Sequence, residues 1–79
     1  MLELFHLIVD AGSARVRQFV TEHQAPVKFR NVAFDEALAK LKELGGDGSV
    51  PALWDGQQLF IGADAVISRL RAFEDVGRE

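Results

Sequence analysis

The chain has 79 residues, 48% hydrophobic and 27% charged, which is the make-up of one compact domain that folds unaided and leaves no room for a second. Nine Lys and Arg against twelve Asp and Glu give a net charge of -3, so neither a nucleic-acid backbone nor an anionic membrane surface is an expected partner. With no cysteine and no tyrosine, thiol nucleophiles, dithiol redox chemistry, disulfides, Cys-ligated metals and phenolic catalysis are excluded together.

His6 and His23 lie far apart and outside any HxxxH or HExxH spacing, so no metal site is expected. No apolar run approaches the roughly 20 residues of a membrane span, and no basic flank precedes a long apolar stretch at the start. The expected location is the cytoplasm.

In chain order, Leu2 to Val9 is almost continuously apolar, broken by Glu3 and His6, and reads as a central strand buried on both faces. A turn follows at Asp10 to Gly12. From Ser13 the period becomes helical, with Val16, Phe19, Val20 and His23 on one side and Arg15, Arg17, Gln18 and Glu22 on the other. Pro26 closes the connection, and the alternation from Val27 to Val32 predicts a second strand at a sheet edge.

Asp35 is placed to cap a second helix carrying Ala37, Leu38, Leu41 and Leu44, with Glu36 and Lys40 spaced as an ion pair and Gly45 and Gly46 ending it. Val50 to Trp54 and Gln58 to Ile61 read as two antiparallel strands joined by a tight turn at Asp55-Gly56. The last helix sets Val66, Ile67, Leu70 and Phe73 against Ser68, Arg69, Arg71 and Glu74, ahead of an Asp75 to Glu79 tail. The order is βαβαββα. A right-handed crossover makes the first two strands parallel, and the hairpin then adds on the far side of strand one, giving a mixed four-stranded sheet of order 2-1-3-4. Helices one and three should cover one face and helix two the other, burying strand one completely.

Three segments carry a resemblance. Val50-Pro51-Ala52-Leu53-Trp54-Asp55-Gly56, followed by Leu59, Ala65-Val66 and Arg69-Leu70, is similar to the VPxLxDG pattern and its sequel in glutathione S-transferase N-terminal domains. Gly12-Ser13-Ala14-Arg15-Val16-Arg17 resembles the corresponding segment of serine-type transferases. The resemblance implies an α/β thioredoxin-like domain of the glutaredoxin or transferase N-terminal type over residues 1–79. It also implies a cis bond before Pro51, a Val50 backbone that pairs with the cysteinyl part of glutathione, and Ser13 as the hydroxyl that activates the thiolate. Aligned with glutaredoxins instead, the CxxC motif falls on Ala11-Gly12-Ser13-Ala14, where both thiols are missing. The third segment departs from the transferase pattern: where a Glu-Ser pair would bind the γ-glutamyl group, the chain has Gly62-Ala63 and then Asp64, nearer to the glutaredoxin form. Backbone N–H groups at the start of helix three, around Gly62, Ala63 and Asp64, would then meet a ligand carboxylate, Gly62 permitting close approach and the Asp64 side chain partly repelling it.

Each residue also has a plain structural role open to it. Ser13 and Asp64 are suited to capping helices one and three, His6 to a hydrogen-bonded core position, His23 to a helix C-terminus, Trp54 to packing, and Arg15 and Arg17 to a solvated face. Three functional readings follow. The first is a non-redox module binding glutathione or an extended peptide along Ser13, Val50, Pro51 and the start of helix three. The second is a minimal serine-type glutathione transferase acting through Ser13, without the helical domain that holds the electrophile in that family. The third is a non-catalytic interaction domain, as a homodimer or with a partner protein, whose contact surface on helices one and three lies near Arg17, Val20 and Phe73.

Overall fold

The computed structural model describes residues 2–77. Its elements are β1 (Leu2–His6), α1 (Ala11–His23), β2 (Val27–Asn31), α2 (Asp35–Glu43), β3 (Ala52–Trp54), β4 (Leu59–Ile61) and α3 (Ala63–Gly77). The sheet order is β2-β1-β3-β4, with β1 parallel to β2 and antiparallel to β3, and β3 antiparallel to β4. Order, directions and the three helices are those expected from the sequence.

The period of two along β1 builds both layers at once. Leu2 and Leu4 pack with Val16, Phe19 and Val20 of α1, Leu53 of β3, and Val66 and Leu70 of α3. Phe5 turns the other way, into a second cluster with Val32, Ala37 and Leu41 of α2, and Ala52. Glu3, on the same face as Phe5, is accommodated because Arg30 Nε donates to its carboxylate at 2.9 Å from the neighbouring strand. A strand covered on both faces has no place for solvated side chains, and this accounts for its apolar composition.

Several boundaries differ from the sequence expectation. β1 stops at His6, not Val9, because β2 ends at Asn31 and β3 starts at Ala52, so no neighbour is left to pair with. The last ladder contact is Val32 N–H to the His6 carbonyl at 3.0 Å, after which the chain turns, with Asp10 N–H donating to Leu7 C=O at 3.2 Å. Ile8 and Val9 are consequently exposed, by 62% and 93%. α1 starts at Ala11, ahead of Ser13, because Asp10 is the cap: its carboxylate accepts the Ser13 N–H at 2.6 Å.

Asp35 is likewise inside its helix and not at the cap. Phe34 occupies the cap position without a side-chain bond, and Asp35 and Glu36 both stand in the first turn, where the helix dipole favours them. The hairpin turn is centred one residue later than Asp55-Gly56, closed by Asp55 N–H to Gln58 C=O at 3.1 Å, with Gly56 at φ 99° as the bend requires. Asp55 instead fastens the turn, one carboxylate oxygen accepting from the Gln57 and Gln58 N–H groups and the other from Arg69 Nε. Val20 is only 5% exposed, so it belongs to the core and not to a contact surface on α1.

Candidate functional site

The turns after β1 and β4 and the turn before β3 meet at one end of the sheet, since β3 runs opposite to the other two strands. Val50-Pro51 enters β3 through a cis peptide bond. Gly62 N–H donates to the Pro51 carbonyl at 2.9 Å, and Gly62 sits at φ 98°, a conformation that only glycine adopts without strain. From the other side comes Gly12: a Cβ there would stand 3.1 Å from Pro51 Cδ and 3.8 Å from Ala63 Cβ. Gly12, Pro51 and Ala63 therefore form a tight floor that a side chain at position 12 would disrupt. Val50, half-buried at its rim, has neither its N–H nor its C=O bonded to another backbone group among the described residues.

The N-termini of α1 and α3 both open toward this floor. That of α1 already holds an anion. Hydrogen bonding from Ser13 holds the Asp10 carboxyl below the usual carboxylate range, so the group is ionised at neutral pH. A ligand thiolate beside it would meet like charge.

Ser13 faces inward. Its side chain has no exposure, and its hydroxyl accepts the Leu7 N–H at 3.2 Å. The activating role that the transferase resemblance implies for it therefore has no exposed hydroxyl to act through. Ser13→Ala should lower stability by about 1 to 3 kcal/mol, because Leu7 N–H loses its acceptor. Urea melts of the two proteins measure this, and a difference below the error of the extrapolation would contradict it.

Asp64 lies in the first turn of α3 and does not cap it; the Gly62 carbonyl accepts the Val66 N–H that opens the helix, at 3.0 Å. Its exposed carboxylate pairs with Arg15 at 2.7 Å, a bridge between the two helix starts that flank the floor. Being exposed, the bridge adds little to stability.

Arg17 is the functional-end residue that sequence patterning assigned to a solvated face. Its guanidinium donates to the Leu7 carbonyl at 3.0 Å and the Ile8 carbonyl at 3.1 Å, and lies 3.1 Å from His6 Nδ1. Arginine has no acceptor, so Nδ1 must be the lone-pair nitrogen and His6 is neutral with its proton on Nε2. The signal was present in the spacing: Arg17 is four residues after Ser13, hence on the helix face that looks back at the end of β1.

His6 is 6% exposed and meets the Phe29 ring edge-on at 5.4 Å. Burial, and then the charge of Arg17, pushes its pKa below 6.5. A histidine whose folded pKa is depressed supports the fold fully above its unfolded value and loses that support as the pH falls from about 6.5 through the folded pKa. Stability should therefore begin to decline below about pH 6.5, ahead of the carboxylates Asp10, Asp47 and Asp55, whose depressed values make their own loss start only below about pH 4. Urea midpoints measured from pH 7.5 to 5 should fall for the wild type and stay flatter for His6→Gln.

Three large apolar side chains are exposed at the same end, Ile8 and Val9 after β1 and Ile61 at the end of β4. Among the described residues, no three His, Asp or Glu side chains come together, and no helix is long and apolar enough to cross a membrane.

This is the thioredoxin fold, in its glutaredoxin-like form and without a cysteine. Buckwheat glutaredoxin in its complex with glutathione superimposes with a TM-score of 0.69 at 21% sequence identity, covering 96% of this chain and 73% of the glutaredoxin. The holo form of glutaredoxin C1 from Populus tremula x tremuloides gives a TM-score of 0.67 at 22% identity, covering 92% of this chain and 69% of that one. No protein-family model matches the sequence, and no curated protein matches it significantly.

Proposed function

We propose that the domain is a non-redox binding module that holds glutathione or an extended peptide segment in the groove of Val50, Pro51, Gly12 and Ala63. The observation that carries this reading is the Val50 backbone, half-buried with its N–H and C=O unpaired and set beside the close-packed floor. An extended ligand satisfies both groups as an added strand would. A carboxylate further along the ligand reaches the N–H groups at the start of α3, at Ala63 and Asp64, where the helix dipole is favourable; the Gly62 N–H is taken by the Pro51 carbonyl. The glutathione complex of buckwheat glutaredoxin, a protein of the same fold, supports the small-ligand form of the reading. The exposed apolar Ile8, Val9 and Ile61 support the peptide form.

With no cysteine in the chain, the ligand's sulfur has no protein thiol to exchange with, so the site binds and does not reduce. Glutathione conjugation through Ser13 is the weaker reading, because that hydroxyl is fully buried and Asp10 supplies negative charge where a thiolate would need the opposite. The test is a titration of the full chain with glutathione, followed by amide chemical shifts. Movement at Gly12, Val50, Gly62 and Ala63 is expected, and Asp10→Asn, which keeps the cap but removes the charge, should tighten binding. No perturbation of these amides at millimolar glutathione, nor by an extended peptide, would rule the groove out.

A further inference from the structure

β2 is an edge strand, and its outer side is unpaired. The bond from Val32 N–H to His6 C=O sets the phase of the parallel ladder: even-numbered residues of β2 turn their backbone groups toward β1, and odd-numbered ones turn outward. Val27 N–H is taken by Ala25 C=O and Asn31 C=O by Phe34 N–H, so Phe29 is left at the centre with both its N–H and its C=O facing solvent. Such an edge invites another strand.

The side chains along it divide by face. Lys28 and Arg30 stand on the same face as Phe5, in register with Glu3 and Phe5. Arg30 gives Nε and Nη2 to Glu3, whereas Lys28 is exposed and has no ion pair among the described residues. Phe29 projects to the opposite face, 46% exposed, and Phe34, 68% exposed, lies past the end of the strand. Phe29, Arg30, Asn31, Phe34, Glu36 and Ala37, from β2 and the start of α2, line one shallow depression at this edge.

These charges disfavour one occupant and favour another. If a second copy paired antiparallel about Phe29, Lys28 would stand opposite the second copy's Arg30, twice, and like charges directly across a ladder are destabilising. A strand with carboxylates at alternate positions sets one of them against Lys28, whose ammonium has no ion pair among the described residues while Arg30 is held by Glu3, and sends its intervening side chains to the Phe29 face. We propose that the outer edge of β2 is a strand-addition site for an extended peptide in which acidic residues alternate with apolar ones. This surface is separate from the Val50 groove and does not depend on it.

The experiment uses the full chain, isotope-labelled, with a capped Glu-Val-Glu-Val-Glu peptide and its Lys-Val-Lys-Val-Lys counterpart. The acidic peptide should shift the amides of Val27 to Asn31 and Phe34, slow hydrogen exchange at the Phe29 N–H, and bind more weakly as salt is raised. Lys28→Glu should weaken it about fivefold, the scale of exposed charge pairs, and improve the basic peptide. Phe29→Pro removes the outward donor without removing a ladder bond, so it should abolish binding; where it unfolds the strand, Lys28→Glu alone decides. Equal binding of the two peptides overturns the proposal. So do shifts confined to Val50 and Ala63, which support the groove reading alone, or concentration-dependent shifts in β2 without peptide, which make a second copy the occupant.

Discussion

Arg17→Met should lower the stability of the domain by about 2 to 4 kcal/mol, which is large for a surface-proximal arginine. Three acceptors depend on the one guanidinium: the Leu7 and Ile8 carbonyls and His6 Nδ1. Methionine replaces the stem of the side chain but none of the donors, leaving half-buried Leu7 to find water for its carbonyl and His6, only 6% exposed, without a partner. Arg17→Lys should recover part of the loss, because an ammonium reaches one carbonyl but cannot span two with a planar fork. A second readout separates this from simple packing. Removing the Arg17 charge takes away one of the two causes that depress His6, so its pKa, followed by ring-proton shifts, should rise toward 6.5 in Arg17→Met. A stability loss below 1 kcal/mol, or an unmoved His6, would show that the clamp is dispensable.

Helical spacing identified Val16, Phe19, Val66 and Leu70 as core because burial of one helix face follows directly from period 3.6. Strand length does not follow in that way. Leu7, Ile8 and Val9 continue the apolar run of β1 without a break, and only the ends of β2 and β3, which lie elsewhere in the chain, decide that the ladder stops at His6. Two apolar residues thereby become an exposed rim of the candidate groove. The start of α1 does not follow from spacing for a related reason. Asp10 and Ser13 are both cap formers three residues apart, and the choice between them turns on which backbone N–H is free, a property of the folded turn. Asp10 won it, and Ser13 passed into the interior.

The floor of the groove was half legible. Val50-Pro51 and Gly62-Ala63 stand out as a motif, whereas the part played by Gly12 is visible only once α1 brings it within 3.1 Å of the Pro51 ring as measured from a Cβ placed on it. Close approach of two backbones leaves no periodic trace; it leaves a glycine, and glycines have many uses. Ionised Asp10 at the helix start puts a charge there opposite to what a thiolate requires.

The largest single effect is expected at the centre of the sheet. Phe5→Ala should destabilise the domain by about 3 to 5 kcal/mol, against a total near 4 to 12 kcal/mol for a chain of this length, so a measurable unfolded population should appear in water. Phe5 has no exposure and is the largest fully buried side chain. Its cluster is also the thinner of the two, since α2 contributes only Ala37 and Leu41 as buried residues and has no side-chain cap at its start. The cavity should therefore be felt first by α2, whose amides should exchange faster in Phe5→Ala than those of α1. Leu4, equally buried, points to the opposite layer, into the cluster shared by α1 and α3. Leu4→Ala should cost about 2 to 5 kcal/mol and accelerate exchange in α1 and α3 instead, with α2 following only through global unfolding. Should the two variants give one and the same exchange pattern, the separation of the core into two layers hinged on β1 is wrong as a description of how this domain holds together.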